Sequence, residues 1–359
     1  MRGKNTSKQV HAALLRFLSD PGQWEGSLSG SGAVYRLEKR FSSLVGLPHA
    51  LAVANATLGL WALFMALEIH DADVITTPYT WGGSLAGLAL SGNRPVFADI
   101  DRNTLTLDPV AVGQRVTPRT RAMLAVDIYG YPCDGPTLRQ IADYHGLVLI
   151  QDCAQSFGAY QEGHHTGWWA DAAVFSFTRS KALFAGEGGM ILTPHSDLWR
   201  ALVRQTQHPL RQIRDVPGSP VNEMAVNLRI NPLAAVWAEA TWNDTLAGMD
   251  KHRIESLRIL DLLEKEKASK TKAPDGKKVR PSFHTLTFEP RCKSDRIQAV
   301  LRDNHLSYTI SSPPVSAPIY YHDSYRELSK KCGWGKHCKC PVAEEQSNRR
   351  VRLVKEKER

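Results

Sequence analysis

The polar residues that fall just after apolar, strand-like runs of this chain form a small, chemically coherent set: Asn55-Ala56-Thr57, Thr80-Trp81, Asp152 with Gln155, Ser176 and Lys181. In parallel α/β sheets, ligands bind beyond the carboxyl ends of the strands, so residues at those ends are where chemistry is expected. The set offers small residues at a helix start for an anion, an aromatic ring, a carboxylate, and a lysine in a polar, Gly-containing connection. Pyridoxal 5′-phosphate (PLP) requires this combination. Its phosphate takes backbone N–H groups and hydroxyls, which Ala56, Thr57 and Ser176 could supply. Its pyridine nitrogen takes a buried carboxylate, a role suited to Asp152, and its aldehyde takes a lysine amine, which points to Lys181. Trp81 is suited to stack on the ring face. Each residue also has a plain structural alternative: Lys181 as a surface lysine, Asp152 and Thr57 as helix caps, Ser176 as a strand-end hydroxyl, Trp81 as core.

The elements that must position these residues alternate between strand-like and helix-like runs. Leu51 to Ile69 approaches the length of a membrane span, but Asn55-Ala56-Thr57 cuts it into a strand, a polar turn and a helix beginning near Leu58. Strands are expected at Val74 to Thr77, Pro95 to Ile100, Met123 to Tyr129 and Leu147 to Gln151, with helices at Trp81 to Leu90, Asp108 to Arg115 and Gly135 to His145. The strands are apolar throughout rather than alternating, as strands covered on both faces require, so a mostly parallel sheet follows. Strand-like Ala172 to Phe177 and Gly188 to Thr193 flank the Thr178 to Glu187 connection. Asn231 to Leu263 is helix-rich, and Ser282 to Phe288 with Arg296 to Asn304 reads as strand then helix. The α/β chain therefore divides into a large PLP-binding domain with an N-terminal arm (1–240) and a smaller C-terminal α+β domain (241–359).

The chain has 359 residues, 42% hydrophobic and 23% charged, which excludes a wholly disordered, collagen-like or multi-span membrane protein. Its formal charge is +9, and eight of those charges come from two stretches: 264–280, with seven basic and three acidic side chains, and 349–359, with six and two. A solvated basic linker and tail, rather than a nucleic-acid surface, is the expectation. Six cysteines and no secretory signal at the start suggest reduced thiols and a cytoplasmic setting. Cys332, His337, Cys338 and Cys340 lack the paired spacing of structural zinc sites, so no metal is expected.

The motifs NAT at 55–57, TPYTW at 77–81, PVFADID at 95–101, DCAQSFGA at 152–159 and FSFTRSKALFAGEGG at 175–189 resemble those of the DegT/DnrJ/EryC1/StrS aminotransferases. SGSGAVYRLEKRF at 29–41 and NLRINPLAA at 227–235 are similar to further family segments, so the resemblance runs from about residue 29 to about 345. It implies a type I PLP-enzyme fold working as a homodimer with sites at the interface. Residue by residue, it implies that Lys181 is the Schiff-base lysine, Asp152 the pyridine-nitrogen partner and Gln155 the neighbour of the phenolic oxygen. It further implies Thr57 and Ser176 as phosphate contacts, Trp81 as the stacking ring, and Asn227 and Arg229 as residues reaching the neighbouring subunit's cofactor. Ala56 stands where the family often has glycine, Gln151 where an acidic residue is common, and Asp127 where histidine is common; the chain after about Cys332 fits poorly.

The reaction so implied moves an amino group from glutamine or glutamate to a ketone on a cyclitol, sugar or related metabolite by ping-pong kinetics, most like the branch that makes cyclitol and antibiotic precursors. A dehydratase or aromatising PLP enzyme, or a non-catalytic homologue acting as a regulatory partner, remains an alternative at this point. Acceptor recognition is expected in the loops at 24–31, 208–220 and 311–321, with His208, Tyr320 and Tyr321 as candidates.

Overall fold

The computed structural model describes residues 4–218, 224–335 and 337–356. Three helices open the chain: α1 (Lys4–Leu18), α2 (Pro21–Leu28) and α3 (Ala33–Val45). The alternation then builds β1 (His49–Val53), α4 (Ala56–Ala66), β2 (Asp73–Thr76), α5 (Gly82–Leu90), β3 (Arg94–Phe97), α6 (Pro109–Gly113), β4 (Thr120–Val126), α7 (Gly135–His145) and β5 (Val148–Asp152). A short hairpin, β6 (Tyr160–Gln161) and β7 (His164–His165), precedes β8 (Ala172–Ser176) and β9 (Gly189–Thr193).

Seven strands form the central sheet in the order β1-β9-β8-β5-β4-β2-β3. β3, β2, β4, β5 and β8 pair in parallel, and β9 runs antiparallel between β1 and β8. The sequence dictates this burial: side chains alternate faces along a strand, so a strand covered twice must be apolar at every position. On one face Phe175 and Met190 pack with Phe41 of α3; on the other Val174 and Ile191 pack with Leu60 and Leu63 of α4. Register then gathers the strand ends. Val53 of β1 and Ser176 of β8 both pair with Gly189, and Val126 of β4 pairs with Asp152 of β5.

The apparent membrane span is divided as expected: β1 ends at Val53 and α4 begins at Ala56. Among the described residues, no helix is long and apolar enough to cross a membrane.

Beyond the sheet lie α8 (Ser196–Thr206), α9 (Pro209–Asp215) and α10 (Pro232–Lys265). Asn231 caps α10, and the helix runs unbroken from Ala235, Ala238 and Trp242, on the large sheet's core, to Ile259, Leu260 and Leu263 in the C-terminal core. β10 (Val279–Arg280) pairs with β6, and β11 (Thr287–Phe288), α11 (Ser294–Asp303), β12 (Tyr308–Ser311), α12 (Asp323–Lys331), α13 (Pro341–Arg349) and β13 (Val351–Lys355) complete the chain.

Among the described residues, the basic linker and tail keep their lysines exposed, as expected, but the backbone that carries them is packed into the fold. In the stretch 264–280, Ser269 and Thr271 are buried, Lys270 pairs with Glu289 at 2.7 Å, and β10 joins a sheet. In the stretch 349–359, β13 is the middle strand between β11 and β12, and the Arg350 guanidinium is buried against the Arg102 and Asn103 carbonyls; Lys357 and Arg359 lie outside the described residues.

Candidate active site

Asp152 closes β5 and is 5% exposed. Its Oδ2 accepts from the Ser84 hydroxyl at 2.7 Å and its Oδ1 from the Ala154 N–H at 3.0 Å. Ser84 sits in the first turn of α5, with Thr80 Oγ1 2.9 Å from its own hydroxyl. Burial pushes the Asp152 carboxyl above the usual carboxylate range, while Ser84, the Ala154 N–H and the Lys181 ammonium pull it back. The Lys181 amine is pushed below the ordinary lysine value by burial, opposed by the charge of Asp152. A buried carboxylate and a half-buried amine thus shift each other's proton affinity, the kind of pair that clusters at functional sites.

Lys181 lies in the connection from β8 to β9, and the sequence folds this loop back on itself. Phe177 N–H donates to Gly188 O, Ala185 N–H to Phe177 O and Lys181 N–H to Thr178 O, each at 2.9 Å. Thr178 Oγ1 donates to Glu187 Oε1 at 3.2 Å, which gives Glu187 a part in closing the loop that carries the lysine.

An anion cradle forms where α4 and α5 begin. Asn55 caps α4, accepting from the Leu58 N–H at 2.9 Å, and the helix geometry leaves the Ala56 and Thr57 amides without intrahelical partners. Gly189 is required beside them: a Cβ there would lie 2.9 Å from Ala56 N, Asn55 C and Phe175 O. Glycine therefore lets β9 run against the start of α4 and carries Ser176, its partner in register, alongside. A Cβ on Gly83 would lie 2.9 Å from Thr57 Oγ1, so α5 begins against the same hydroxyl. The Ala56 methyl is accommodated because it is buried in the core beneath α4.

Gln155 Oε1 accepts from the Tyr129 N–H at 2.9 Å, which turns the amide NH2 away as the donating end. Tyr129 is held at φ 55°, a left-handed conformation that costs a bulky residue about 1 kcal/mol or more. Trp81 stands at the start of α5 and is 63% exposed, so it is not a core residue. Arg229 forms an isolated bridge with Val53, and Ala54 N–H donates to Leu228 O at 2.7 Å, laying this segment along the end of β1. Asn227 is exposed, and among the described residues no hydrogen bond joins the Asn227 or Arg229 side chain to the Asp152–Lys181 cluster.

The structure adds residues that the sequence reading missed. Ser84 was detectable as a hydroxyl in the otherwise apolar run GGSLAGLAL. Tyr129 acts through its backbone, and no residue type signals that. His284 comes from the C-terminal half: Ser282 N–H donates to Gly130 O at 2.9 Å and Thr285 N–H to Tyr129 O at 3.3 Å, laying this segment over the site. Burial, then the charges of Lys181 and His252, push His284 down to about 3, so its imidazole is neutral.

Two of the three acceptor-loop candidates are otherwise engaged. Tyr320 is buried, its hydroxyl donating to Glu344 Oε1 at 2.8 Å and accepting from the Cys340 N–H. His208 caps α9 through Nδ1, which accepts from the Leu210 N–H at 3.2 Å; Tyr321 is exposed. Among the described residues, no three His, Cys, Asp or Glu side chains gather as a metal set.

These residues fit PLP. The Ala56 and Thr57 amides at the start of α4, with the Thr57 and Ser176 hydroxyls on neighbouring elements, are the donor types a phosphate takes. Asp152 is a buried carboxylate whose charged neighbours include a single cation, Lys181, as a protonated ring nitrogen requires.

A profile of the DegT/DnrJ/EryC1/StrS aminotransferase family matches residues 23–355. The chain belongs to this family. The match extends through β13, so the C-terminal segment expected to fit poorly is part of the family's own domain. The chain is similar to DesI, solved in the presence of its TDP-sugar product, at 28% identity over 97% of this chain and 84% of that one, with a TM-score of 0.78. It is similar to 3-amino-5-hydroxybenzoic acid synthase at 25% identity over 96% and 90%, TM-score 0.76. An aminotransferase from Psychrobacter cryohalolentis shares the fold at TM-score 0.81 and 22% identity over 99% and 92%. Like the rest of its family, the protein is a PLP-dependent aminotransferase.

Proposed function

We propose that this aminotransferase carries the amino group of glutamine or glutamate to a ketone on a cyclitol, sugar or related small metabolite in a biosynthetic pathway. The observation that carries the reading is the pair of Asp152, buried and steadied by Ser84, and Lys181, half-buried in a loop closed on itself. Lys181 anchors the cofactor aldehyde and Asp152 holds the ring nitrogen. Gln155 donates to the phenolic oxygen, Ala56, Thr57 and Ser176 hold the phosphate, and Trp81 covers the ring. Bound PLP supplies an electron-poor ring that stabilises negative charge at the donor's Cα. Once the donor's amine has taken its place on the aldehyde, the Lys181 amine, whose neutral form burial favours, would accept the Cα proton and return it further along as general base and then acid.

A ketone acceptor on a polyol or sugar ring is supported by the sugar product of DesI, the hydroxylated product of the synthase and the TPYTW and SKALFAGEGG runs. Pairing of two copies, with Asn227 and Arg229 reaching the partner's cofactor, is supported by the exposure of Met224, Val226 and Asn227. The deciding experiment is near-visible absorption before and after L-glutamine, with Lys181→Ala as control. A yellow band that bleaches with glutamine and is absent from the variant is expected; a protein that stays colourless after added PLP overturns the reading.

A further inference from the structure

The end of β4 carries a second buried carboxylate that the site assignment leaves without a role. Asp127 is 1% exposed, and its N–H donates to the Asp152 carbonyl at 3.0 Å, so the two aspartates sit at the same edge of adjacent parallel strands. Donors converge on its side chain: the Cys133 N–H at 2.8 Å, the Gln151 amide at 2.9 and 3.1 Å to the two oxygens, the Ser156 hydroxyl at 2.6 Å, and the Thr166 hydroxyl. Gln151 has no freedom to present its oxygen instead, because its Oε1 accepts from the Gly167 N–H at 3.1 Å. Every partner donates, and this arrangement suits an ionised carboxylate.

Among the described residues, no salt bridge joins Asp127 to a cation. The Cys133 and Cys153 thiols are pushed up by burial and by Asp127 and stay neutral. His165, held by the Gly158 N–H and the Thr166 carbonyl, is pushed down to about 4 by burial and is neutral as well. The charged groups acting on Asp152 are Lys181, which favours its ionised form, and Asp127, which opposes it.

We propose that Asp127 is a positioning residue of the cofactor site, a fixed negative charge behind Asp152 that helps hold the proton on the PLP ring nitrogen. The inference rests on Asp152 facing that nitrogen. Negative charge on both carboxylates favours a cationic ring over a neutral one; at a separation of several ångströms in a partly polar interior the second charge amounts to about one pH unit.

The test is the 15N resonance of ring-labelled PLP bound to the full-length protein, which reports ring-nitrogen protonation without turnover, followed from pH 6 to 10. Asp127→Asn is expected to lower the ring-nitrogen midpoint by about one unit, and Asp152→Asn to lower it further. Should Asp127→Asn not accumulate as folded protein, Asp127→Ser makes the same comparison, its smaller side chain admitting a water to the donors. Thr166→Val removes one donor but keeps the charge and is expected to leave the midpoint in place. A neutral variant at 127 that titrates like the wild type while Asp152→Asn shifts overturns the proposal. An Asp152→Asn protein that titrates like the wild type overturns the placement of the ring on which it rests.

Discussion

The Ser84 hydroxyl and the Asp152 carboxylate, 68 positions apart in the chain, meet at 2.7 Å and tie the first turn of α5 to the end of β5. A hydrogen bond to a buried charge is worth about 1.5–3 kcal/mol. Ser84→Ala is therefore expected to weaken PLP binding about tenfold or more, measured by equilibrium titration of the apoprotein with PLP. An unchanged dissociation constant would show that Asp152 needs no such support.

The two ends of the Gln155 amide separate structure from chemistry. Gln155→Glu keeps an acceptor for the Tyr129 N–H and is expected to leave the melting temperature within a few degrees while shifting the cofactor's visible band. Gln155→Leu strands that N–H and should cost about 1–3 kcal/mol in chemical denaturation.

Acid lability follows from two neutral histidines, the buried His165 near 4 and the half-buried His284 near 3. Both lie below the unfolded value of about 6.5, so between these limits the unfolded chain binds more protons and stability rises with pH. Stability is lost as pH falls below about 6.5. Replacing His284 by Phe should reduce the loss between pH 7 and 4.5 by about 2 kcal/mol, read from urea midpoints at the two pH values. Equal losses in both proteins would place His284 in water.

Arg211 and Glu38 form a buried two-bonded pair, both contacts at 2.9 Å, and Glu38 also accepts from the Ala52 N–H at 2.8 Å. Arg211→Met leaves that carboxylate buried without its cation and should cost about 3–5 kcal/mol, seen as a lowered melting temperature. The charge-free pair Arg211→Met with Glu38→Gln should recover part of the loss.

Much of the fold was legible because burial on both faces leaves continuous apolar runs, and β2, β4, β5, β8 and β9 lie within a few residues of where those runs place them. That Lys181 and Asp152 would lie near one another was suggested by their places, Asp152 closing β5 and Lys181 in the polar connection after the neighbouring β8. What escaped was contact between distant segments. The Tyr129–Gln155 bond uses a backbone group, His284 arrives from the far half of the chain, and β13 hides its strand character behind Arg352 and Lys355. A two-residue strand such as β11 has no periodicity to read at all.

Truncation before Val351 tests the tail directly. β11 and β12 each pair only with β13 among the described residues, so its removal leaves both without a neighbour. Such a protein is expected to be insoluble or to lose its cooperative melting transition.

The same middle strand sets an order of events during synthesis. The central sheet has all seven strands once Thr193 has been made, whereas the sheet of the C-terminal half waits for Val351–Lys355. Through that interval the apolar faces of Phe288 and Tyr308 have no closing strand, so one sheet is complete while the other stays open. Unpaired strand edges and uncovered apolar surface make folding intermediates prone to aggregate, so the late-closing sheet is where misfolding during synthesis is expected to begin.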